Sequence, residues 1–195
     1  MRPDLGAVED LAARLVSRVN ALPPTLGTCR LLCIDGPSGA GKTTLAAAVR
    51  RAARPRRVEV LHMDAVYDGW DGLEAGMRTV AEDVLAPLGR GQSGRYRRYD
   101  WNSGRFTDEH LVEARDLLVV EGVGAGNPAY AAATTLLVWV DAPSEVRLAR
   151  ALDRDGQHTH DLLLGWHALE QEMFARTGIR ERADVVVDGL TGRAC

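Results

Sequence analysis

Lysine is almost missing from this chain of 195 residues: of its 24 basic side chains only Lys42 is a lysine, and the rest are arginine. That absence excludes the guanine-reading Asn-Lys-x-Asp of GTPases, which needs a lysine besides the one in the phosphate loop described below. Cysteine is scarce too. Cys29, Cys33 and Cys195 are odd in number and show no metal-type spacing, so neither a disulfide framework nor a zinc site is expected. No apolar run approaches the ~20 residues that span a bilayer. The opening Met1-Arg2-Pro3-Asp4 has no signal-peptide pattern, and the expectation is a cytoplasmic protein in a reducing compartment. The net charge of −3 provides no field that would gather nucleic acid or a membrane surface. There is no internal repeat and no Ser-Gly-Gly-Gln-like transporter signature, the nearest string being Gly89-Arg90-Gly91-Gln92-Ser93-Gly94.

What is present reads as one domain, residues 1–195, long enough to bury roughly 70% of its unfolded surface. Leu5, Val8, Leu11, Leu15 and Val19 stand at helical spacing before Pro23-Pro24, giving a leading helix within 1–24. Leu31–Ile34, Val58–Met63, Leu117–Val120, Thr135–Val140 and Ala183–Val187 read as buried strands. Helices are expected over Thr44–Arg54 and over Leu73–Leu88 despite Gly76. Two more should run from Ser144, as a cap, through Leu152 and from about Asp161 to Arg176. Arg95–Phe106 reads as an extended ribbon followed by a short helix near Thr107–Arg115. Alternating strands and helices specify an α/β fold of three layers around a five-stranded parallel sheet, with ligands at the carboxyl ends of the strands. The polar residues at those ends are Asp35, Asp64, Glu121 and Asp141.

Between the first strand and its helix lies Gly36-Pro37-Ser38-Gly39-Ala40-Gly41-Lys42-Thr43, followed by Thr44. Glycines let successive backbone N–H groups turn toward phosphate oxygens, Lys42 reaches the outer phosphates, and Thr43 offers a hydroxyl to Mg²⁺. This is a complete phosphate loop, so Gly36, Ser38, Gly39, Ala40, Gly41, Lys42, Thr43 and Thr44 are the expected binding residues for Mg²⁺-ATP. The loop alone does not choose among kinases, motor ATPases and switches.

Asp64 stands one βα-crossover beyond the loop, where a base for an acceptor hydroxyl would sit; a loop cap or a holder of magnesium-bound water would also stand there. Glu121, after four apolar residues, has the position of an acid that binds Mg²⁺, or of a partner for a loop arginine. Arg147, Arg150 and Arg154 fall at i, i+3 and i+7 on one helix face, able either to spread positive charge over a phosphate or to pair with Glu145, Asp153 and Asp155 in solvent. Arg95-Tyr96-Arg97-Arg98-Tyr99 interleaves charge and rings like a nucleic-acid strip, but no wider basic footprint accompanies it. Tyr99 and Trp101, with Tyr67 or Trp70, could instead pack on an acceptor ring or anchor loops. His158 and His160 lack a third ligand, and His62, His110 and His167 stand alone.

Over about residues 30–188 the chain resembles the uridine kinase family of P-loop kinases. The resemblance is carried by the loop Gly36–Thr44 and by Asp64-Ala65-Val66-Tyr67, similar to Asp-x-Phe-Tyr. Tyr99-Asp100-Trp101 is similar to Tyr-Asp-Phe, and Glu121-Gly122-Val123 to Glu-Gly-Ile; Arg147-Leu148-Ala149-Arg150 with Arg154-Asp155 completes the order. The resemblance implies a nucleoside/nucleotide kinase-like fold with an acceptor region over about 64–115 and a small helical lid over about 144–178. It also implies ATP and Mg²⁺ as cofactors, Asp64 as general base, Thr43 and Glu121 as magnesium ligands, Tyr99 against the acceptor, and the three arginines closing over phosphates with Lys42. The implied partner is a small hydroxyl-bearing acceptor, a nucleoside or a comparable sugar, vitamin precursor or antibiotic, with no nucleic acid and no membrane, and with a homo-oligomer left open. The acceptor pocket departs from the family: the position of its base-reading histidine is Gly104, with Arg105 beside it as an expected acceptor contact, and Asp68-Gly69-Trp70-Asp71-Gly72 has no His-Pro.

Overall fold

A computed structural model describes residues 4–54 and 57–195; the Met1–Pro3 part of the opening segment read above lies outside them. Helix α1, Leu5–Ala21, starts where the Asp4 carboxylate accepts the Gly6 and Ala7 N–H groups. Val8, Leu11, Leu15 and Val19 are buried as the spacing requires, but Leu5, at the end of the stripe, stays exposed. Strand β1, Arg30–Asp35, runs into the glycine loop, and helix α2, Lys42–Ala52, leaves it. Strand β2 covers Val58–His62.

The helical stretch expected over Leu73–Leu88 forms as α3, Leu73–Thr79, a π-helical segment, Val80–Leu85, and α4, Ala86–Gly89. The widened turn comes just before Pro87, which has no N–H to give to the preceding turn. Strands β3, Gly94–Asp100, and β4, Arg105–Val112, pair as an antiparallel hairpin. The short helix expected near Thr107–Arg115 is therefore corrected to a strand. Its backbone bonds go to β3, with His110 opposite Tyr96 and Phe106 opposite Tyr99, a tertiary choice that overrides local propensity.

Strands β5, Leu117–Glu121, and β6, Leu136–Asp141, follow, then helices α5, Ser144–Asp155, and α6, His160–Thr177. Ser144 is not the cap of α5. Pro143 holds that position, Ser144 is the first helical residue, and no side chain caps the end. Strands β7, Val185–Asp188, and β8, Arg193–Ala194, close the chain.

The main sheet runs β2-β5-β1-β6-β7-β8. Its first five strands are parallel, and the expected sheet is extended by β8, which pairs antiparallel to β7. Period-two alternation sends Leu32, Ile34, Val119 and Val138 to one face, against α1 and α2. Leu31, Cys33, Val120 and Trp139 go to the other, against α3, the π segment, the hairpin and α6. These are the three layers. After β1 the chain moves to one side, through β2 and β5, and returns across it to β6, so the carboxyl ends of β1, β5 and β6 flank the crevice where such sheets bind ligands.

Candidate active site

At the carboxyl end of β1 the chain must turn away from the sheet within a few residues. Gly39 makes this possible: its φ is +77°, and a Cβ there would lie 2.3 Å from the Arg147 carbonyl oxygen. Asp35, fully buried below the loop, accepts the N–H groups of Gly36 at 2.6 Å, Gly124 at 3.0 Å and Gly126 at 2.7 Å. Burial pushes its carboxyl up to about 6, although those N–H groups oppose the shift. Asp35 thus ties the loop to the turn after β5. Asp141 likewise serves its own strand end, accepting the Ala142 N–H at 2.8 Å.

Lys42 is buried, its Nζ donates to the Pro37 carbonyl at 2.9 Å, and burial lowers its pKa while Glu121, Glu170 and Asp35 hold the charge. The Thr43 hydroxyl donates to Glu121 Oε1 at 3.0 Å. Glu121, at the end of β5, has His62 Nδ1 2.5 Å from the same oxygen, because β2 and β5 pair in a register that sets the two residues side by side. That hydrogen bond raises the His62 pKa against the effect of its partial burial. Glu121 therefore pairs with a histidine rather than with a loop arginine. His62 is a functional candidate that does not stand alone as expected; nor does His110, which bonds Glu59 at 3.1 Å.

The donors beside the loop are hard oxygens, and the described residues hold no group of three side chains that would cage an ion by themselves. Such a set fits Mg²⁺, which takes one or two protein oxygens and completes its shell with phosphate and water. Thr43 and Glu121 would hold it, with His62 orienting the carboxylate.

Asp64 follows β2 in a single turn of 3₁₀-helix, Met63–Ala65, open to solvent on one side and walled by the cleft on the others. Crowding in the cleft, and then the Glu121 charge, raise its pKa, while His62, Arg154 and Lys42 pull the other way. Trp101, from the turn after β3, donates its indole N–H to the Asp64 carbonyl at 2.9 Å. Its ring meets Trp70 edge-on at 5.3 Å and Tyr99 edge-on at 5.3 Å, an aromatic wall tied to the Asp64 backbone. The Tyr99 hydroxyl lies near Gly69 and Gly104.

One expectation for this wall changes. Tyr67 is core: it is buried, stacks at a tilt on Trp166, and its hydroxyl donates to the Val123 carbonyl at 2.5 Å. Arg105 is exposed at the hairpin turn, opposite Asp100. Two of the three arginines of the Arg95–Tyr99 stretch are engaged within the hairpin, Arg95 with Glu109 and Arg97 over the Phe106 ring.

The three arginines of α5 do not share one task. Arg154 is exposed, binds Asp155 through two 2.6 Å bonds, and shares the field of Asp64 and Glu121. Arg150 donates to the Gly39 and Gly189 carbonyls. Arg147 is buried, with Nε on the Ala142 carbonyl at 3.0 Å and Nη1 on Glu170 Oε1 at 3.0 Å, and so it is not placed to move over a phosphate. Glu170, on α6, is the second residue the sequence did not single out, and nothing near it in the chain signals its role.

A phosphate loop on the central strand, carboxylates on two neighbouring strand ends and two helices packed on the loop make up the site of a three-layer α/β fold with a phosphate loop. Comparisons with known proteins agree. The model of the Phosphoribulokinase / Uridine kinase family matches residues 68–162, the stretch from the aromatic wall through α5. A uridine kinase of Latilactobacillus sakei subsp. sakei is 26% identical over 162 residues, covering 74% of this chain and 77% of that one. A Bacillus stearothermophilus structure described as "a Possible Uridine Kinase" superposes with a TM-score of 0.66 at 20% identity, over 91% of this chain and 97% of that one. A D-glycerate 3-kinase of Cryptococcus neoformans var. grubii does so with a TM-score of 0.55 at 9% identity, over 95% of each. At these identities the two structures establish the fold, and the proteins to which the chain is similar are named for different acceptors. Among the described residues no helix is long and apolar enough to cross a membrane.

Proposed function

We propose that this protein is a magnesium-dependent ATP:alcohol phosphotransferase whose acceptor is a nucleoside or a comparable small metabolite with a ring. What carries this reading is the placement of Asp64: its carboxylate shares the crevice with Glu121 and Lys42, and its own backbone carbonyl is bound by a tryptophan of the aromatic wall. Asp64 takes the proton of an acceptor hydroxyl as the oxygen attacks the γ-phosphorus in line. Lys42 and Arg154 sit where negative charge grows on the transferred group. Mg²⁺, held by Thr43 and Glu121, would supply further charge neutralisation.

The acceptor ring lies against Trp101, Trp70 and Tyr99. A nucleoside is favoured by the kinship with uridine kinases; the small Gly104, where that family has a histidine, leaves base reading to other groups and keeps sugars, vitamin precursors and antibiotics as alternatives. The working compartment is the cytoplasm, in keeping with three free cysteines.

The test is ADP release by the purified protein with Mg²⁺-ATP, alone and with a panel of nucleosides, sugars and other polyols. Stimulation by one compound, falling by about 10² to 10⁴ in Asp64→Asn, is expected. Turnover that ignores every acceptor and survives Asp64→Asn would identify an ATPase or switch instead.

A further inference from the structure

The loop's outer side is held by the two helices that follow β6. Both backbone polar groups of Ser38 are taken: its N–H donates to Glu170 Oε2 at 2.8 Å, and its carbonyl accepts Arg147 Nη1 at 3.4 Å. The Gly39 and Ala40 carbonyls accept Arg150 Nη1 at 3.3 and 3.5 Å. In a planar trans peptide the C=O of one residue and the N–H of the next point in opposite directions. Carbonyls of Ser38 and Ala40 aimed at α5 therefore turn the N–H groups of Gly39 and Gly41 away from it, toward the side where phosphate would lie.

Glu170 has no solvent exposure, and Arg147 is nearly as buried. Glu170 and Arg147 bond each other and both bond Ser38, so the carboxylate lies on the α5 and α6 side of the loop, the side opposite the Gly39 N–H. A buried ion pair is a weak source of net stability, because two desolvated charges offset their own attraction. This one is spent on the two peptides that meet at Ser38, Glu170 taking the N–H of the first and Arg147 the C=O of the second.

We propose that Glu170, oriented by Arg147, is a positioning residue: it fixes the Pro37–Ser38 peptide from behind so that the loop presents its amides before nucleotide arrives. The inference rests on the reading of this loop as the nucleotide site. It also gives Arg147 a role away from the phosphates, that of holding Glu170.

Stability and nucleotide affinity should separate in three variants. Glu170→Gln keeps an oxygen for the Ser38 N–H but leaves Arg147 unpaired, so its thermal midpoint falls while ADP affinity, by titration calorimetry, stays within about threefold of wild type. Glu170→Ala loses both, and ADP binds about tenfold or more weakly. Arg147→Met/Glu170→Met fills the space with apolar volume and recovers the midpoint. Its ADP affinity nevertheless stays down by about tenfold or more. Should Glu170→Ala fail to fold, Glu170→Gln against the double variant decides. Affinity that follows the thermal midpoint and returns in the double variant overturns the proposal, as does affinity unchanged or tightened in Glu170→Ala. A wild-type protein that binds no ADP removes the nucleotide reading itself, and this inference with it.

Discussion

The indole N–H of Trp101 donates to the backbone carbonyl of Asp64 at 2.9 Å, joining the turn of a peripheral hairpin to the end of β2 across 37 positions of sequence. The residue that walls the acceptor side thereby also holds the backbone of the expected base. Trp101→Phe keeps most of the ring and removes the donor. The acceptor KM should rise and kcat fall, each by about three- to tenfold, the order of one lost hydrogen bond, with the KM for ATP unchanged. Equal effects on both substrates would mean a general loosening of the cleft.

The pH profile follows from the charges around Asp64. A general base must be ionised, and its pKa is raised above the ordinary 3.8 by cleft crowding and by Glu121. An acid with a raised pKa keeps its proton to higher pH, so kcat/KM should fall as pH drops through that raised value. Arg154 pulls the pKa down. Arg154→Gln should therefore move the acid limb toward higher pH, and a limb displaced the other way would contradict Asp64 as the base.

Lys42 is buried with its ammonium on the Pro37 carbonyl, and burial disfavours its charge. Lys42→Met preserves the stem and deletes the charge. ATP turnover should fall by about 10² to 10³, as when a preorganised donor is removed from a transition state. The thermal midpoint should hold or rise, because a desolvated ammonium is gone; a large drop would show that the Pro37 bond is structural.

The thiols offer a check on the fold itself. Cys29 and Cys33 are buried and their pKa values raised, Cys33 to about 12, whereas Cys195 is exposed. An aromatic disulfide reagent at mildly alkaline pH should react quickly with one thiol of the native protein and with all three after denaturation. Fast reaction of more than one would mean that the β1 side of the core opens.

Features set by neighbours in sequence were legible there. The α1 stripe, the apolar strands and the phosphate loop each depend on residues within one turn or one short run, and Asp64 and Glu121 announce themselves by ending strands. The place of Tyr67 is not legible in the sequence because burial depends on what packs opposite: Trp166 and the Val123 carbonyl come from distant segments. The stretch from Thr107 to Val112 is strand and not helix because its hydrogen bonds lie across the turn, in β3.

The sequence by itself determined that phosphate can be bound, since a glycine loop with one lysine and one hydroxyl needs only a strand before it and a helix after it. Only the tertiary structure decided how the charged residues divide their work. Strand register set His62 against Glu121, and the packing of α6 against the loop set Glu170 on Ser38, 132 positions away. It separated three arginines that share a helical spacing into one exposed and bound to Asp155, one on the loop carbonyls and one buried in an ion pair. Spacing places residues along a helix, but the surfaces packed around that helix settle which of them meet solvent, backbone or a buried carboxylate.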